Sequence, residues 1–151
     1  MTHTYRTHYY HLIWSTKNRE KWITTEIQND LYLYMCGIIK NNHNSVLLGI
    51  GGTLDHVHLL MSLSLPDKFT HLVRDVKANS SLWIHKNFPQ SKLFAWQEGY
   101  ASFSVSYSSI DRVLHYINNQ EEHHKTVTFE DEYLLLLRKC HVKFDEKYVL
   151  G

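Results

Sequence analysis

Two histidines stand one residue apart inside an apolar run, LDHVHLLMSL, at residues 54–63. The run has the composition of a β-strand, and strand residues two apart point to the same face. His56 and His58 therefore present two imidazoles side by side, while the apolar residues between them point the other way. Imidazole nitrogens ligate metals and change charge near neutral pH. The spacing is compatible with a metal site and equally with a hydrogen-bonded structural pair.

A tyrosine and a glutamine are spaced by four residues in HYINNQ, at residues 115–120. On a helix, this spacing places Tyr116 and Gln120 on one face. That face lies beside the apolar stripe that would pack on a sheet, so both side chains are expected to face a cleft or a partner. Amphipathic packing alone would also explain the pair.

The elements that must position these side chains follow from alternation and helical spacing. The order is β-α-β-β-α-β followed by two helices, which is the ferredoxin-like, RRM-like pattern of the α+β class with an antiparallel sheet. Strands are predicted over 9–17, 45–54, 55–63 and 100–107, and helices over 24–41, 66–88, 109–124 and 128–140. A single domain over 1–151 is expected. In this topology the second face of the sheet is expected to be free for a ligand, with the histidines facing it.

Composition sets broad limits on function. The net charge of +1 gives no bulk electrostatic indication of a nucleic-acid partner, whereas 12 histidines and 10 tyrosines are unusual. Nothing in the sequence predicts a membrane span or a signal peptide. Two distant cysteines predict no disulfide framework, which favours a cytoplasmic protein.

The two motifs together resemble the single-tyrosine HUH transposases of small bacterial insertion sequences, a family that includes the REP-associated tyrosine transposases. The strand motif corresponds to His-hydrophobic-His and the helix motif to Tyr-x-x-x-Gln. The likeness extends to YYHLIWSTKNRE near the start, to FAWQEGYASFSVSYSSIDRVLHYINNQEEHH and to TFEDEYLLLLRKCHVKFDEKYVLG. Glutamine after the tyrosine matches the insertion-sequence branch, because the REP-associated branch more often has Asn-Pro there.

The resemblance implies cleavage and rejoining of single-stranded DNA at hairpin-bearing element ends. Tyr116 would form a 5′-phosphotyrosine intermediate, which conserves the energy of the broken phosphodiester. His56, His58 and Gln120 would hold Mg²⁺ or Mn²⁺. Asp55 is a candidate hydrogen-bond partner of this set, although adjacent strand residues point oppositely.

The resemblance further implies a homodimer with active sites shared between subunits. The strand over 100–107 is a candidate sheet edge where a second copy can pair. Candidate DNA contacts are basic residues for phosphates, aromatic residues for bases, and the remaining histidines of the motifs. The basic set is Lys17, Arg19, Lys21, Arg74 and Lys77; the aromatic set is Tyr9, Trp14, Trp96 and Tyr100; the histidines, expected at the surface, are His11, His115, His123 and His124.

Three alternatives remain open at this point. A domesticated REP-associated nuclease would keep the chemistry but no longer move an element. An RRM-like module would bind single strands through exposed sheet aromatics without catalysis. A zinc hydrolase would use His56 and His58 with a third ligand and a bound water, and would form no covalent adduct with DNA.

Overall fold

Four antiparallel strands form one sheet in the computed structural model, which describes residues 2–151. The strands are β1 (Tyr9–Ser15), β2 (Val46–Gly52), β3 (His56–Ser62) and β4 (Ala101–Val105). Their spatial order is β2-β3-β1-β4, so the histidine strand β3 is interior while β2 and β4 are the edges. The α+β class, the ferredoxin-like order and the edge position of β4 are therefore confirmed.

Five helices accompany the sheet. They are α1 (Thr25–His43), α2 (Phe69–Asn87), α3 (Ile110–Asn118), α4 (Gln120–His123) and α5 (Phe129–Lys139). Thr128 caps α5 by accepting a hydrogen bond from the Asp131 backbone N–H, as its sequence predicts. Among residues 2–151, no helix is both long and apolar enough to cross a bilayer.

The first face of the sheet carries the larger core. Alternate residues of β1 and β3, such as Leu12 and Leu59, are fully buried here together with apolar residues of α1 and α2. Trp14 and Trp96 belong to this core and meet edge to face, with their ring centroids 5.8 Å apart. The prediction that these two tryptophans stack on bases is therefore wrong, because both rings are buried in the core.

The second face of the sheet is covered, which corrects the expectation of a free ligand-binding face. Residues of β1 and β4 on this side pack against the apolar stripe of α5. The cluster consists of Ile13, Ala101, Phe103, Phe129, Tyr133 and Leu137. The physical reason is that the C-terminal helices are amphipathic and must bury their own apolar faces, and this side of the sheet is the surface available to them.

Glycines of β2 provide the place where α3 lies on the sheet. A Cβ atom added at Gly49 would stand 2.4 Å from a side-chain carbon of Leu114, and one added at Gly51 would stand 2.3 Å from the backbone oxygen of Ile117. A side chain at Gly49 would displace the flexible end of Leu114, whereas one at Gly51 would displace helix backbone, so α3 approaches the strand directly at Gly51. The GIGG sequence thus fixes the position of the helix that carries Tyr116.

We expect Gly51→Ala to destabilise the protein by roughly 1–3 kcal/mol, because the new methyl group meets helix backbone that must move. Gly37→Ala is the matched control: it lies within α1, its added Cβ has no contact nearer than 4.0 Å, and helix propensity favours alanine by about 0.5–1 kcal/mol. Urea denaturation of both variants tests this. Equal stability of the two variants would contradict the backbone contact.

Candidate active site

The two histidines of β3 are fully buried on the covered second face of the sheet. His56 stands opposite Ser15 of β1, and His58 stands opposite Ile13. Their ring centroids are 5.2 Å apart. Buried polar side chains require partners, so the contacts of each ring reveal how the site is built.

His56 is oriented by a carboxylate. The Oδ1 atom of Asp55 lies 2.7 Å from His56 Nδ1, and the hydroxyl of Thr53 lies 3.0 Å from the same nitrogen. Burial alone would raise the pKa of Asp55, but the hydrogen bond and charge of His56 outweigh it and lower that pKa. Because Asp55 precedes the first residue of β3, strand alternation does not turn it away from the histidine.

His58 is paired with a histidine of the neighbouring strand. His11 Nε2 lies 2.8 Å from His58 Nδ1. Burial is the main cause that lowers the pKa of His58 to about 4 and the pKa of His11 to about 3. Both rings are therefore neutral at pH 7. The expectation of a surface role for His11 is wrong, because it lies on the sheet face that the C-terminal helices cover.

Gln120 reaches the same place from a break in the helix. The predicted single helix over 109–124 ends at Asn118, and Gln120 begins α4. The amide oxygen of Gln120 lies 2.9 Å from His56 Nε2. Its nitrogen faces two acceptors, Glu132 Oε2 at 3.3 Å and the Tyr116 carbonyl at 3.4 Å, which fixes the orientation of the amide.

Glu132 of α5 stands at the centre of the cluster and was missed by the sequence analysis. Its Oε1 atom lies 3.0 Å from His58 Nε2 and 3.1 Å from His124 Nε2. Its Oε2 atom accepts a hydrogen bond from the Tyr116 hydroxyl and lies 3.1 Å from His123 Nε2. Burial opposes ionisation, but the neighbouring histidines and the hydrogen bond from Tyr116 hold the pKa of this carboxyl well below its usual range.

A signal for Glu132 existed in the sequence. Phe129, Tyr133 and Leu137 form the buried stripe of α5, and Glu132 lies on that stripe, three residues after the first of them. It is a charged residue at a core position. The two acidic residues before it, Glu130 and Asp131, are the ordinary complement of a helix N-terminus and obscure it.

His123 and His124 also belong to the site. The predicted surface position is wrong for His124, whose side chain is 9% exposed, whereas His123 keeps 32% of its side chain exposed. Both contact the Glu132 carboxylate because the turn after α4 folds back over α5. Burial would lower the pKa of His124, but Glu132 and the carbonyl of Val127 outweigh it and raise that pKa. His115, in contrast, is exposed as expected and pairs with Asn119.

Tyr116 approaches the histidine pair within the same chain. Its ring centroid lies 5.7 Å from that of His58. Burial and the adjacent negative Glu132 raise the pKa of the phenol well above its usual value, so the hydroxyl keeps its proton at neutral pH. One chain alone thus brings together Tyr116, His56, His58 and Gln120.

The basic residues fall into two groups. Lys17, Lys21 and Arg74 are exposed. Arg19 pairs with Glu130 at 3.1 Å and donates to the carbonyl of Leu150 at 3.0 Å, while the ammonium of Lys77 donates to three backbone carbonyls. The carbonyls are those of Gln97, Glu98 and Gly99. Phosphate contact by Lys77 would break these bonds, so its position favours a structural role.

A cavity of about 560 Å³ opens beside the cluster. Asp55 and His124 line its inner wall, and Lys21 and Lys125 line its rim. Glu121 and Glu130 line it as well, so side chains of both charges border the solvent-accessible space that adjoins the buried site.

Residues 4–120 match the protein family described as "Transposase IS200 like". The chain belongs to this family. The resemblance to single-tyrosine transposases is thereby confirmed, and a transposase is a DNA-processing enzyme. The match ends at Gln120, so His123, His124 and Glu132 lie beyond the matched segment.

Individual proteins give the same result. The chain is 28% identical over 118 residues to the ISDra2 transposase TnpA of Deinococcus radiodurans, covering 75% of this chain and 84% of the relative. A crystal structure of a putative transposase from the same organism is 25% identical, with a TM-score of 0.63, covering 80% of this chain and 95% of that one. A REP-associated tyrosine transposase bound to a REP hairpin shares the fold at 16% identity, with a TM-score of 0.62 and coverage of 84% and 76%.

The buried histidines predict a loss of stability in weak acid. Because the pKa values of His58 and His11 are about 4 and about 3 in the folded chain against 6.5 for the free side chain, the unfolded chain binds protons first as pH falls below 6.5. Each ring then costs roughly 2 kcal/mol of unfolding free energy between pH 7.5 and pH 5. The raised pKa of His124 acts with the opposite sign, so the total slope is smaller.

The test therefore compares the loss of unfolding free energy on acidification in two proteins. Urea denaturation of wild type and His11→Phe, in EDTA at pH 7.5 and pH 5, gives the pH-dependent loss for each. We expect His11→Phe to be less stable at pH 7.5 and to lose about 2 kcal/mol less than wild type on acidification. An equal loss in both proteins would remove His11 from this role.

Proposed function

We propose that this transposase cleaves and rejoins single-stranded DNA through a covalent 5′-phosphotyrosine on Tyr116. The observation that carries the proposal is the position of the Tyr116 hydroxyl, which lies inside a cluster of buried imidazole, amide and carboxylate groups. Family membership supports the reaction class, and the cluster supports the assignment of residues. The same proposal makes His56, His58 and Gln120 ligands of a divalent metal.

The contacts of His56 fit a metal ligand. The carboxylate of Asp55 can only accept, so the Nδ1 atom of His56 carries the proton and Nε2 presents a lone pair. That lone pair faces the oxygen of Gln120 at 2.9 Å. Two acceptors at this distance repel each other unless a cation lies beside both, as it does when both are ligands. Mixed nitrogen and oxygen ligands with open positions suit Mn²⁺, and Mg²⁺ at higher concentration.

The reaction exchanges one ester for another. The Tyr116 oxygen attacks the scissile phosphorus, the bond from phosphorus to the 3′-oxygen breaks, and the phenol proton ends on the released 3′-hydroxyl. A bound divalent ion would polarise the phosphate and stabilise the departing oxygen. Buried side chains around Tyr116 exclude water, which protects the phosphotyrosine from hydrolysis. Attack by a 3′-hydroxyl of another end reverses the step and joins the strands.

Single-stranded DNA with hairpins is the proposed substrate. The cavity beside His124 offers a path to the cluster, and exposed Lys17, Lys21 and Arg74 are proposed to contact phosphates. One structural relative is bound to a REP hairpin, which makes a folded single strand the reasonable substrate class. The cytoplasmic location expected from the cysteines stays a prediction.

The alternatives are weaker than this proposal. An RRM-like binding module needs aromatic residues on an open sheet face, and here that face is covered by helices. A zinc hydrolase gives no reason for a tyrosine hydroxyl directed into the cluster. A domesticated nuclease would share the chemistry and differ only in the DNA that flanks its gene.

Tyr116→Phe is expected to abolish cleavage and the covalent adduct while DNA binding stays within a few-fold, because only the hydroxyl is lost. Denaturing electrophoresis with hairpin DNA labelled on either side of the cleavage site measures both products. Tyr133→Phe is the matched control, since Tyr133 is buried on the same sheet face but is outside the cluster. An adduct that persists in Tyr116→Phe would eliminate Tyr116 as the nucleophile.

A homodimer with shared sites is also proposed, and subunit mixing tests it. Within one chain Tyr116 already lies beside His58, so sharing requires α3 to be exchanged between copies. Co-expressed Tyr116→Phe and His56→Ala proteins, each inactive alone, should then regain cleavage through the one site with both groups intact. If each chain uses its own tyrosine, the mixture stays inactive.

A further inference from the structure

One oxygen of Glu132 faces three imidazole nitrogens at the separations found in a metal site. Its Oε1 atom lies 3.0 Å from His58 Nε2, 3.1 Å from His124 Nε2 and 3.7 Å from His56 Nε2. In a tetrahedral zinc site with bonds of 2.0–2.1 Å, neighbouring ligand atoms are about 3.3 Å apart. The ligand atoms of all four residues lie within 4.8 Å of one another.

The outer nitrogen of each ring is engaged outside the cluster, and the inner nitrogens of the three rings face oxygen atoms of Gln120 and Glu132. Nδ1 of His56 faces Asp55, Nδ1 of His58 faces His11, and Nδ1 of His124 lies 2.6 Å from the carbonyl of Val127. A carbonyl and a carboxylate accept protons only, which places a hydrogen on Nδ1 of His56 and His124. Their Nε2 lone pairs then point toward the centre of the cluster.

The contact between His124 and Glu132 distinguishes a ligand pair from a hydrogen bond. His124 Nε2 is buried and lies 3.1 Å from Glu132 Oε1, yet it has no hydrogen-bond partner, because the two atoms are not aligned for one. A short distance without hydrogen-bond alignment is typical of two ligands of one tetrahedral ion, because each ligand atom points at the ion and not at the other ligand. The converging lone pairs and negative charge favour a bound cation.

We propose that His124 and Glu132 join His56 and His58 in a closed four-ligand Zn²⁺ site, which is a resting state of this transposase. Three imidazoles and one carboxylate in tetrahedral arrangement suit Zn²⁺, whereas Mg²⁺ prefers six-coordinate sites rich in oxygen ligands. The inference rests on the proposed function for the position of the catalytic metal, and it adds two ligands from the segment after Gln120.

The site is a resting state because Glu132 occupies the position that the scissile phosphate would need. A scissile phosphate must touch both the metal and the Tyr116 hydroxyl, and Glu132 does so here: Oε1 faces the ligand nitrogens, while Oε2 accepts from Tyr116. Oε2 also faces the amide nitrogen of Gln120 at 3.3 Å. A closed tetrahedral ion has no open position for substrate. DNA therefore has to displace Glu132, and with it the first turns of α5.

The direct test is calorimetric titration of the full-length, metal-free protein with Zn²⁺ and, separately, with Mn²⁺. We expect Glu132→Gln and His124→Ala each to weaken Zn²⁺ binding at least ten-fold and Mn²⁺ binding less than three-fold. His123→Ala is the matched control, because His123 also contacts Glu132 but is outside the four-ligand set; its Zn²⁺ affinity should stay within two-fold. Circular dichroism confirms folding, and the isosteric Glu132→Gln keeps the packing.

Co²⁺ provides a second measurement that does not depend on activity. Tetrahedral Co²⁺ absorbs visible light far more strongly than six-coordinate Co²⁺, so the Co²⁺ protein should show intense bands that Glu132→Gln loses. Unchanged Zn²⁺ affinity in both ligand variants, or weak six-coordinate bands in wild type, would overturn the closed site. An equal loss of Zn²⁺ affinity in His123→Ala would also overturn it, because the effect would then be general.

The resting role is tested by adding Zn²⁺ to Mn²⁺-dependent cleavage of labelled hairpin DNA. Zn²⁺ should inhibit cleavage by wild type. For each protein the measured quantity is the Zn²⁺ concentration that halves its own Mn²⁺-dependent rate, and this concentration should be at least ten-fold higher for Glu132→Gln than for wild type. Inhibition at the same concentration in both proteins would overturn the resting role. Zn²⁺ binding with the expected ligand dependence, but no Mn²⁺-dependent cleavage by wild type, would instead overturn the proposed function and the resting role with it.

Discussion

The packing of the C-terminal helices on the sheet depends on one buried negative charge. The Glu132 carboxylate is 2% exposed, and an isolated carboxylate in such a place would be neutralised or expelled. Four histidines, a tyrosine hydroxyl and a glutamine amide surround it instead. Removing one partner of a buried charge typically costs about 3–5 kcal/mol, so these contacts hold their elements strongly in place.

The partners of Glu132 come from every element that forms the site. His58 belongs to the sheet, Tyr116 to α3, His123 to the end of α4 and His124 to the turn that follows it. The same contacts therefore fold the C-terminal helices onto the sheet and prepare the ligand set. The same side chains hold the helices on the sheet and form the proposed ligand set, which explains why these polar groups are buried as deeply as a hydrophobic core.

Spacing brought His56 and His58 together in the sequence because they lie on one regular strand, and it kept Tyr116 and Gln120 near each other although the helix breaks between them after Asn118. The α+β class and the ferredoxin-like order of elements were also predictable, because strand alternation and helical periodicity are clear in the sequence. Glu132 and His11 could not be placed in the same way. Whether His11 meets His58 depends on the register between β1 and β3, and whether Glu132 reaches them depends on how α5 crosses the sheet. Both are properties of tertiary packing.

The covered face was predicted wrongly for a related reason. The ferredoxin-like core leaves one sheet face open, and the two C-terminal helices were assigned without a docking surface. Their apolar stripes required one. Gly49 and Gly51 were visible as a glycine-rich end of β2, but their purpose became clear only from the close approach of Leu114 and Ile117.

The order of these contacts along the chain has a consequence during synthesis. The core of the first sheet face is complete once β3, α2 and Trp96 have emerged, whereas the second face waits for α5, which begins at Phe129. Chains generally fold from the N-terminus as they leave the ribosome. In a nascent chain the histidines of β3 are therefore open to the cell's free metal ions before their carboxylate partner exists. A chain stopped before Glu132 has the imidazoles but not the charge that organises them.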